Sequence, residues 1–267
     1  MKNVLLLVHA DPGQEARFQA ALDLTRALGG HLTCVDVFVP QVIADNYYMG
    51  SGSAWAMAEG HDAERRHGAQ YRERLATEDV AWDWVDATGG LGGRIEDEAG
   101  LADVIVTSRE ADRLFEPNLQ RVTEDVVLRR NQPVVAVPGD CTGIDWHGRA
   151  LVAWDGSDPA MAALRGTTPM LALAADVELF EVDDRLAGPS AEEAARYLSR
   201  HGVPSTIERV HSLHRATAGL IEDRADATGA AYVVMGAYGH NRVRERFLGG
   251  VTHQMVRGSR HPLVLAH

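Results

Sequence analysis

The sequence predicts an α/β protein made of two tandem, doubly wound domains, each with a mainly parallel five-stranded sheet covered by helices on both faces. Three observations carry that expectation. Short apolar runs rich in β-formers alternate with helical segments along the whole chain, the pattern of strands buried on both faces and joined by crossover helices. The chain also repeats itself: slid by 129 residues, Ala87–Val137 aligns without a gap to Ala216–Ala266, with 16 identities over 51 positions. The front of each copy agrees too, since Val4–Val8 (VLLLV) matches Ala150–Trp154 (ALVAW), each followed by a polar turn and an alanine-rich helical segment.

Taken in order, a second strand is expected at His31–Val39 in the first copy and Val177–Asp183 in the second. Amphipathic helices follow at Ala63–Thr77 and Ala191–Arg200, then third strands at Ala81–Ala87 and Ser205–Val210. Helices at Arg94–Gly100 and Ala218–Thr228 lead to fourth strands at Val104–Thr107 and Tyr232–Met235. Each copy closes with a helix and a fifth strand, Val134–Val137 and Leu263–Ala266. The domains read as 1–138 and 149–267, joined by a linker at 139–148 within PGDCTGIDWHG. Residues 40–60, rich in Gly, Ser and Ala, have no counterpart in the second copy and are expected to form an inserted loop or lid on the first domain.

Composition narrows the function. At 267 residues with 45% apolar and 24% charged content, the chain reads as a soluble globular protein. A formal charge of −12 argues against a broad nucleic-acid or anionic-membrane surface, while leaving room for one local anion site. MKNVLLLVHADPG reads as a first strand rather than a signal peptide, and no stretch approaches the roughly 18 apolar residues of a membrane span. Two cysteines, Cys34 and Cys141, read as inert thiols of a reducing compartment, so a cytoplasmic location is expected.

The stretch richest in chemistry is Tyr232–Thr252. A buried strand ends at Gly236; Gly239 follows, and after nine residues come Gly249 and Gly250 at the start of a helical segment, Val251–Arg257. Glycines let the backbone approach a ligand closely, and a helix start presents free N–H groups, so the arrangement reads as a phosphate cradle. In the gapless alignment the four glycines face Thr107, Glu110, Gln120 and Arg121, and Asp155 faces His9, so the first copy is expected not to cradle phosphate in the same way.

The spacing G-x-x-G, nine residues, G, within two such domains resembles the tandem universal stress proteins. The resemblance implies two Rossmann-like domains packed as a pseudo-twofold dimer through their last strands, with an adenine nucleotide in the second. It implies that Asp155 contacts the nucleoside, that Val182 touches the adenine, and that the glycines and the residues after them hold phosphate. The cofactor-binding set on this reading is Ala153, Asp155, Val182, Met235, Gly236, Gly239, His240, Arg242, Gly249, Gly250, Val251 and Thr252, with ATP, ADP or AMP as ligand and Mg as its companion ion. Gly250 departs from the hydroxyl residue the family most often carries there, and Thr252 still offers a hydroxyl at the helix start.

Arg242, Arg244 and Arg246 alternate between the glycine clusters, where such a run is usually a solvated surface loop, and at most one of them is expected to reach phosphate. His240 reads as a positioning donor rather than a general base. No nucleophile, base and orienter set stands out, so slow ATP hydrolysis is the most expected of it as an enzyme. His211 and His214 lack further nominated ligands and read as ordinary histidines; Trp82 and Trp84 share one strand face and read as packing. The expected function is a cytoplasmic stress-response regulator that binds nucleotide and a protein partner, as a homodimer or an intramolecular pseudo-dimer. The alternative is a nucleotide-free interaction module working through the paired domains and residues 40–60.

Overall fold

The computed structural model describes residues 1–39, 51–109, 118–183, 188–239 and 250–267, with side chains of the helix that begins at Ser51 described from Asp62 onward. The first half runs β1 (Asn3–Val8), α1 (Gln14–Leu28), β2 (His31–Phe38), α2 (Ser51–Leu75), β3 (Ala81–Thr88), α3 (Leu91–Glu98), a 3-10 turn at Ala99–Leu101, β4 (Val104–Ser108), α4 (Leu119–Arg129) and β5 (Val134–Val137). The second runs β6 (Arg149–Trp154), α5 (Asp158–Leu171), β7 (Asp176–Val182), α6 (Ala191–Arg200), β8 (Thr206–Val210), α7 (Thr217–Thr228), β9 (Tyr232–Gly236), α8 (Val251–Gly258) and β10 (Leu263–Ala266). The expected strands are all present within a residue or two. One expectation fails: residues 51–60 are not loop but the first turns of α2, and residues 40–50 lie outside the described residues.

The strands form one sheet of ten, ordered β3-β2-β1-β4-β5-β10-β9-β6-β7-β8. Every neighbouring pair is parallel except β5 and β10, which meet antiparallel at the centre. There Val135 pairs with Val264, its own counterpart in the repeat, and Leu263 and Leu265 pair with Ala136 and Val134. Glu124 and His253, also counterparts, touch at 3.2 Å between α4 and α8. Two pairs of equivalent residues meeting each other define a pseudo-twofold axis, and the self-complementary contact leaves neither central strand as an exposed edge.

Burial follows from composition. Val4–Val8, Val104–Val106, Val134–Val137, Leu151, Val152, Tyr232–Val234 and Leu263–Ala266 are all at or below 1% exposure, as strands covered on both faces require. Each face of the sheet carries one apolar cluster spanning both halves. The expected linker is packed rather than solvated: Trp146 is 1% exposed against Tyr232, with ring centroids 4.8 Å apart, and the Ile144 N–H donates to Asp23. A buried arginine joins the halves at a second place. Arg109, just past β4, donates to the carbonyls of Met255, Val256, Ser259 and His261 at 2.6–3.2 Å, capping the C-terminus of α8 across the axis.

Strand pairing corrects the gapless alignment by one residue. Ile105 pairs with Val134, and Val233 with Leu263, the counterpart of Val134. Ser108, not Thr107, therefore occupies the place of Gly236. Pairing of Leu5 with Ile105 and of Leu151 with Val233 makes Leu5 equivalent to Leu151, which keeps His9 opposite Asp155.

Candidate functional site

In the second half the chain winds outward from β6 through β7 to β8, then returns to place β9 on the other side of β6. Between the C-terminal ends of β6 and β9 the connections leave in opposite directions, and a crevice opens there for geometrical reasons. It holds a cavity of about 200 Å³ lined by Ala153, Trp154, Asp155, Ser157, Pro159, Phe180, Val182, Thr217, Ile221, Met235, Gly236, Gly239, Val251 and Thr252. One wall is apolar, built from Phe180 and Val182 of β7, Met235 of β9 and Ile221 of α7. The start of α8 adds Val251 and Thr252 to the lining.

Among the described residues no side chain caps that helix start. Its N-cap is Gly250, which supplies no side-chain acceptor to the first-turn N–H groups, so their donors and the positive end of the helix dipole face the crevice. Thr252 in the first turn is buried, and its hydroxyl accepts from the Tyr238 N–H at 3.3 Å. Tyr238 itself sits at φ +57°, a left-handed conformation that costs a bulky residue roughly 1–2 kcal/mol. The hydrogen bond to Thr252 fixes how the chain leaves β9. The carboxylate of Asp155 is at the exposed mouth, where it accepts from the Ser157 N–H at 3.0 Å while lining the cavity. No lysine, arginine or histidine is among the described lining residues, so the backbone of α8 is the positive element on this wall.

Gly236 and Gly239 differ in kind. A Cβ on Gly236 would lie 2.4 Å from the Ala160 nitrogen and 2.6 Å from the Pro159 carbonyl carbon, both backbone atoms of the start of α5. The glycine is therefore demanded by strand-to-helix packing. Among the described residues, a Cβ on Gly239 would meet nothing within 4 Å. Space is open there, on the cavity side.

Of the twelve residues named from sequence, Ala153, Asp155, Val182, Met235, Gly236, Gly239, Val251 and Thr252 line this one cavity, and Gly250 caps the helix beside it. His240, Arg242 and Gly249, with Arg244 and Arg246, lie outside the described residues. Sequence reasoning missed Trp154, Ser157, Pro159, Phe180, Thr217 and Ile221. Phe180 was accessible, because it precedes Val182 by two and strand residues two apart share a face. Thr217 and Ile221, four apart on α7, also share a face, but nothing in the sequence aims that helix at the crevice.

The matching crevice of the first half is plugged from within. The fully buried guanidinium of Arg17 on α1 donates to the Leu7 and His9 carbonyls at 2.8 and 3.0 Å and to the Ser108 hydroxyl at 2.7 Å, so it spans the ends of β1 and β4. Asp11 neutralises it through a two-oxygen contact at 2.8 and 2.5 Å. The helix start is closed as well, since the Asn118 side chain accepts from the Arg121 N–H at 2.8 Å. His9 faces Glu64 of α2 at 3.3 Å and the Val37 carbonyl at 3.1 Å. Burial alone would lower the His9 pKa, but the hydrogen bond and charge of Glu64, with Asp11 and the Val37 carbonyl, outweigh it and leave the imidazole raised.

The comparisons with known proteins agree with this asymmetry. The model of the universal stress protein family matches residues 147–267. The second half of the chain is therefore similar to that family. The universal stress protein fold extends over the whole chain: a universal stress protein from Archaeoglobus fulgidus DSM 4304 superposes with a TM-score of 0.72, covering 99% of this chain and 96% of that one at 16% identity. A functionally unknown protein from Pseudomonas aeruginosa PAO1 covers 99% and 92% with a TM-score of 0.59 at 14% identity. A universal stress protein in complex with cAMP is 16% identical over 46% of this chain and 99% of that one, with a TM-score of 0.34. No curated protein matches the sequence. Among the described residues no helix is long and apolar enough to cross a membrane.

Proposed function

We propose that the second half, residues 149–267, binds one adenine nucleotide in the crevice between β6 and β9, and that the chain works as a nucleotide-responsive stress regulator in the cytoplasm. The observation that carries this reading is the asymmetry of two equivalent crevices. One is filled by Arg17 and Asp11 with its helix start capped by Asn118; the other is open, with a glycine-capped helix start and an apolar wall. The base packs against Phe180, Val182, Met235 and Ile221, Asp155 at the mouth accepts from the sugar hydroxyls, and the N–H groups of Gly250, Val251 and Thr252 receive phosphate. Mg, where ATP is the ligand, is held by the phosphates. His240, Arg242 and Gly249 complete the phosphate side.

Binding stabilises the folded state by mass action, by about 2.7 kcal/mol at a hundredfold excess of ligand over its dissociation constant. A thermal shift with ATP, ADP or AMP tests the proposal. Wild type shifts, Gly239→Glu does not, and the unliganded melting temperatures of the two agree, because a Cβ on Gly239 meets nothing within 4 Å among the described residues. Absence of any shift in wild type at millimolar nucleotide rejects nucleotide binding and leaves the paired domains as an interaction module.

A further inference from the structure

A second cavity, of about 430 Å³, opens on the first half between α2 and the C-terminal ends of β2 and β3. Its charged lining is Asp36, Glu64 and Asp86 with Arg65 and Arg72, and the origin of the Asp36–Asp86 pair is visible in the repeat. In the second half, Glu181 of β7 pairs across the ladder with Arg209 of β8, and the two side chains form an ion pair at 2.7 Å. The equivalent positions in the first half are Asp36 and Asp86, paired in the same register, so one cation of the sheet surface has become a second anion. Arg72 of α2 gives its hydrogen bonds to Asp86: it donates to both carboxylate oxygens at 2.9 and 3.1 Å and lies over the Trp84 ring at 4.8 Å. Glu64 is engaged by His9 and by the Ala10 N–H.

Asp36 is left over. It is 8% exposed, lines the cavity, and its Oδ1 has no hydrogen-bond partner. The helix above has been shaped for it, because a Cβ on Gly68 would sit 2.1 Å from Asp36 Oδ2. A glycine inside a helix is destabilising against alanine, and here it is the residue that admits the carboxylate. A buried carboxylate at the wall of a cavity, with no ion pair among the described residues, is complementary to a cation. Among the described residues the one carboxylate and imidazole group close enough to hold a metal is Glu222, Asp226 and His261, elsewhere in the chain, so the oxygens around Asp36 are too dispersed for a compact ion.

We propose that this cavity is a binding site for a small organic cation with N–H donors, a primary amine or a guanidine, seated on Asp36. The site is independent of the nucleotide crevice. Burial pushes the Asp36 carboxyl up to about 7, reinforced by Glu64 of α2 and Asp86 of β3 and opposed by Arg72 of α2 and His9 beyond β1. A cation therefore competes with a proton for Asp36, and its affinity weakens as pH falls below that value.

Calorimetric titration of the full chain with agmatine and with putrescine tests the site. The expected result is saturable binding near pH 8 that weakens about tenfold per unit below pH 7. Binding is lost in Asp36→Asn and at least tenfold weaker in Gly68→Ala, which displaces the carboxyl. It survives in Gly239→Glu, and choline, charged but without N–H donors, does not compete. Either of two results overturns the proposal: no binding of either probe to wild type, or binding that Asp36→Asn leaves intact.

Discussion

Gly236→Ala should cost folding stability and not merely ligand affinity, and the size of the effect can be worked from the packing. The added Cβ would stand 2.4 Å from one backbone atom of α5 and 2.6 Å from another, where about 3.5 Å is the ordinary closest approach of such atoms. Neither contact is with a flexible side chain, so β9 and α5 must separate by about 1 Å in a core whose neighbours, Val234 and Ala160, are buried. Overpacking of that kind typically costs about 1–3 kcal/mol. For a chain of this size each kcal/mol shifts the melting temperature by about 2–4 °C, giving a loss of roughly 2–12 °C. Differential scanning fluorimetry without nucleotide reads this directly, with Gly239→Ala as the control that should stay within about 0.5 kcal/mol of wild type. A Gly236→Ala protein that melts with wild type would refute the packing argument and return Gly236 to a purely ligand-binding role.

Three further outcomes are expected. Arg109→Ala removes the four carbonyl contacts that cap α8 across the axis, and should lower stability by about 2–4 kcal/mol in urea denaturation; an unchanged midpoint would mean that α8 needs no cap from the first half. Asp36 is raised above its ordinary carboxylate pKa, so the folded state holds its proton more tightly than the unfolded state. Stability relative to Asp36→Asn should therefore fall as pH rises from about 4 to about 7 and level off above, the slope opposite to that of an ion-paired carboxylate; parallel melting curves across that range contradict the burial of an unpaired Asp36. Cys34, 0% exposed and with its thiol pushed up by burial, should resist iodoacetamide in the native protein and react only on unfolding, as mass spectrometry of the labelled peptide will show.

The fold was legible because its signals are local. Runs such as VLLLV and YVVM are long enough for a strand and too short for a helix, and the repeat doubles every one of them. What misled was also local. Residues 51–60 carry Gly, Ser and Ala without a 3.6-residue apolar period, so the first turns of α2 read as loop. Gapless identity aligned Thr107 with Gly236, yet the ladder slips by one residue between α3 and α4, a shift that hydrogen-bond register reveals and similarity conceals.

The candidate site was legible where backbone demands betray themselves as glycine, and illegible where side chains arrive from distant elements. Gly239, Gly250 and Asp155 stand out in one dimension. Phe180, Thr217 and Ile221 join them only once β7 and α7 are folded onto β9. The crevice of the first half shows the same limit: nothing in the sequence singles out Arg17, which is fully buried and fills the switch point with Asp11 as counter-ion. The asymmetry between the halves is therefore carried by more than lost glycines.

The central claim is that one of two equivalent crevices takes an adenine nucleotide. Isothermal titration of the full chain with ATP measures it most directly, through stoichiometry. One molecule bound per chain, abolished by Gly239→Glu and retained in Asp36→Asn, is the predicted result. Two molecules per chain, or one that persists in Gly239→Glu, would contradict it.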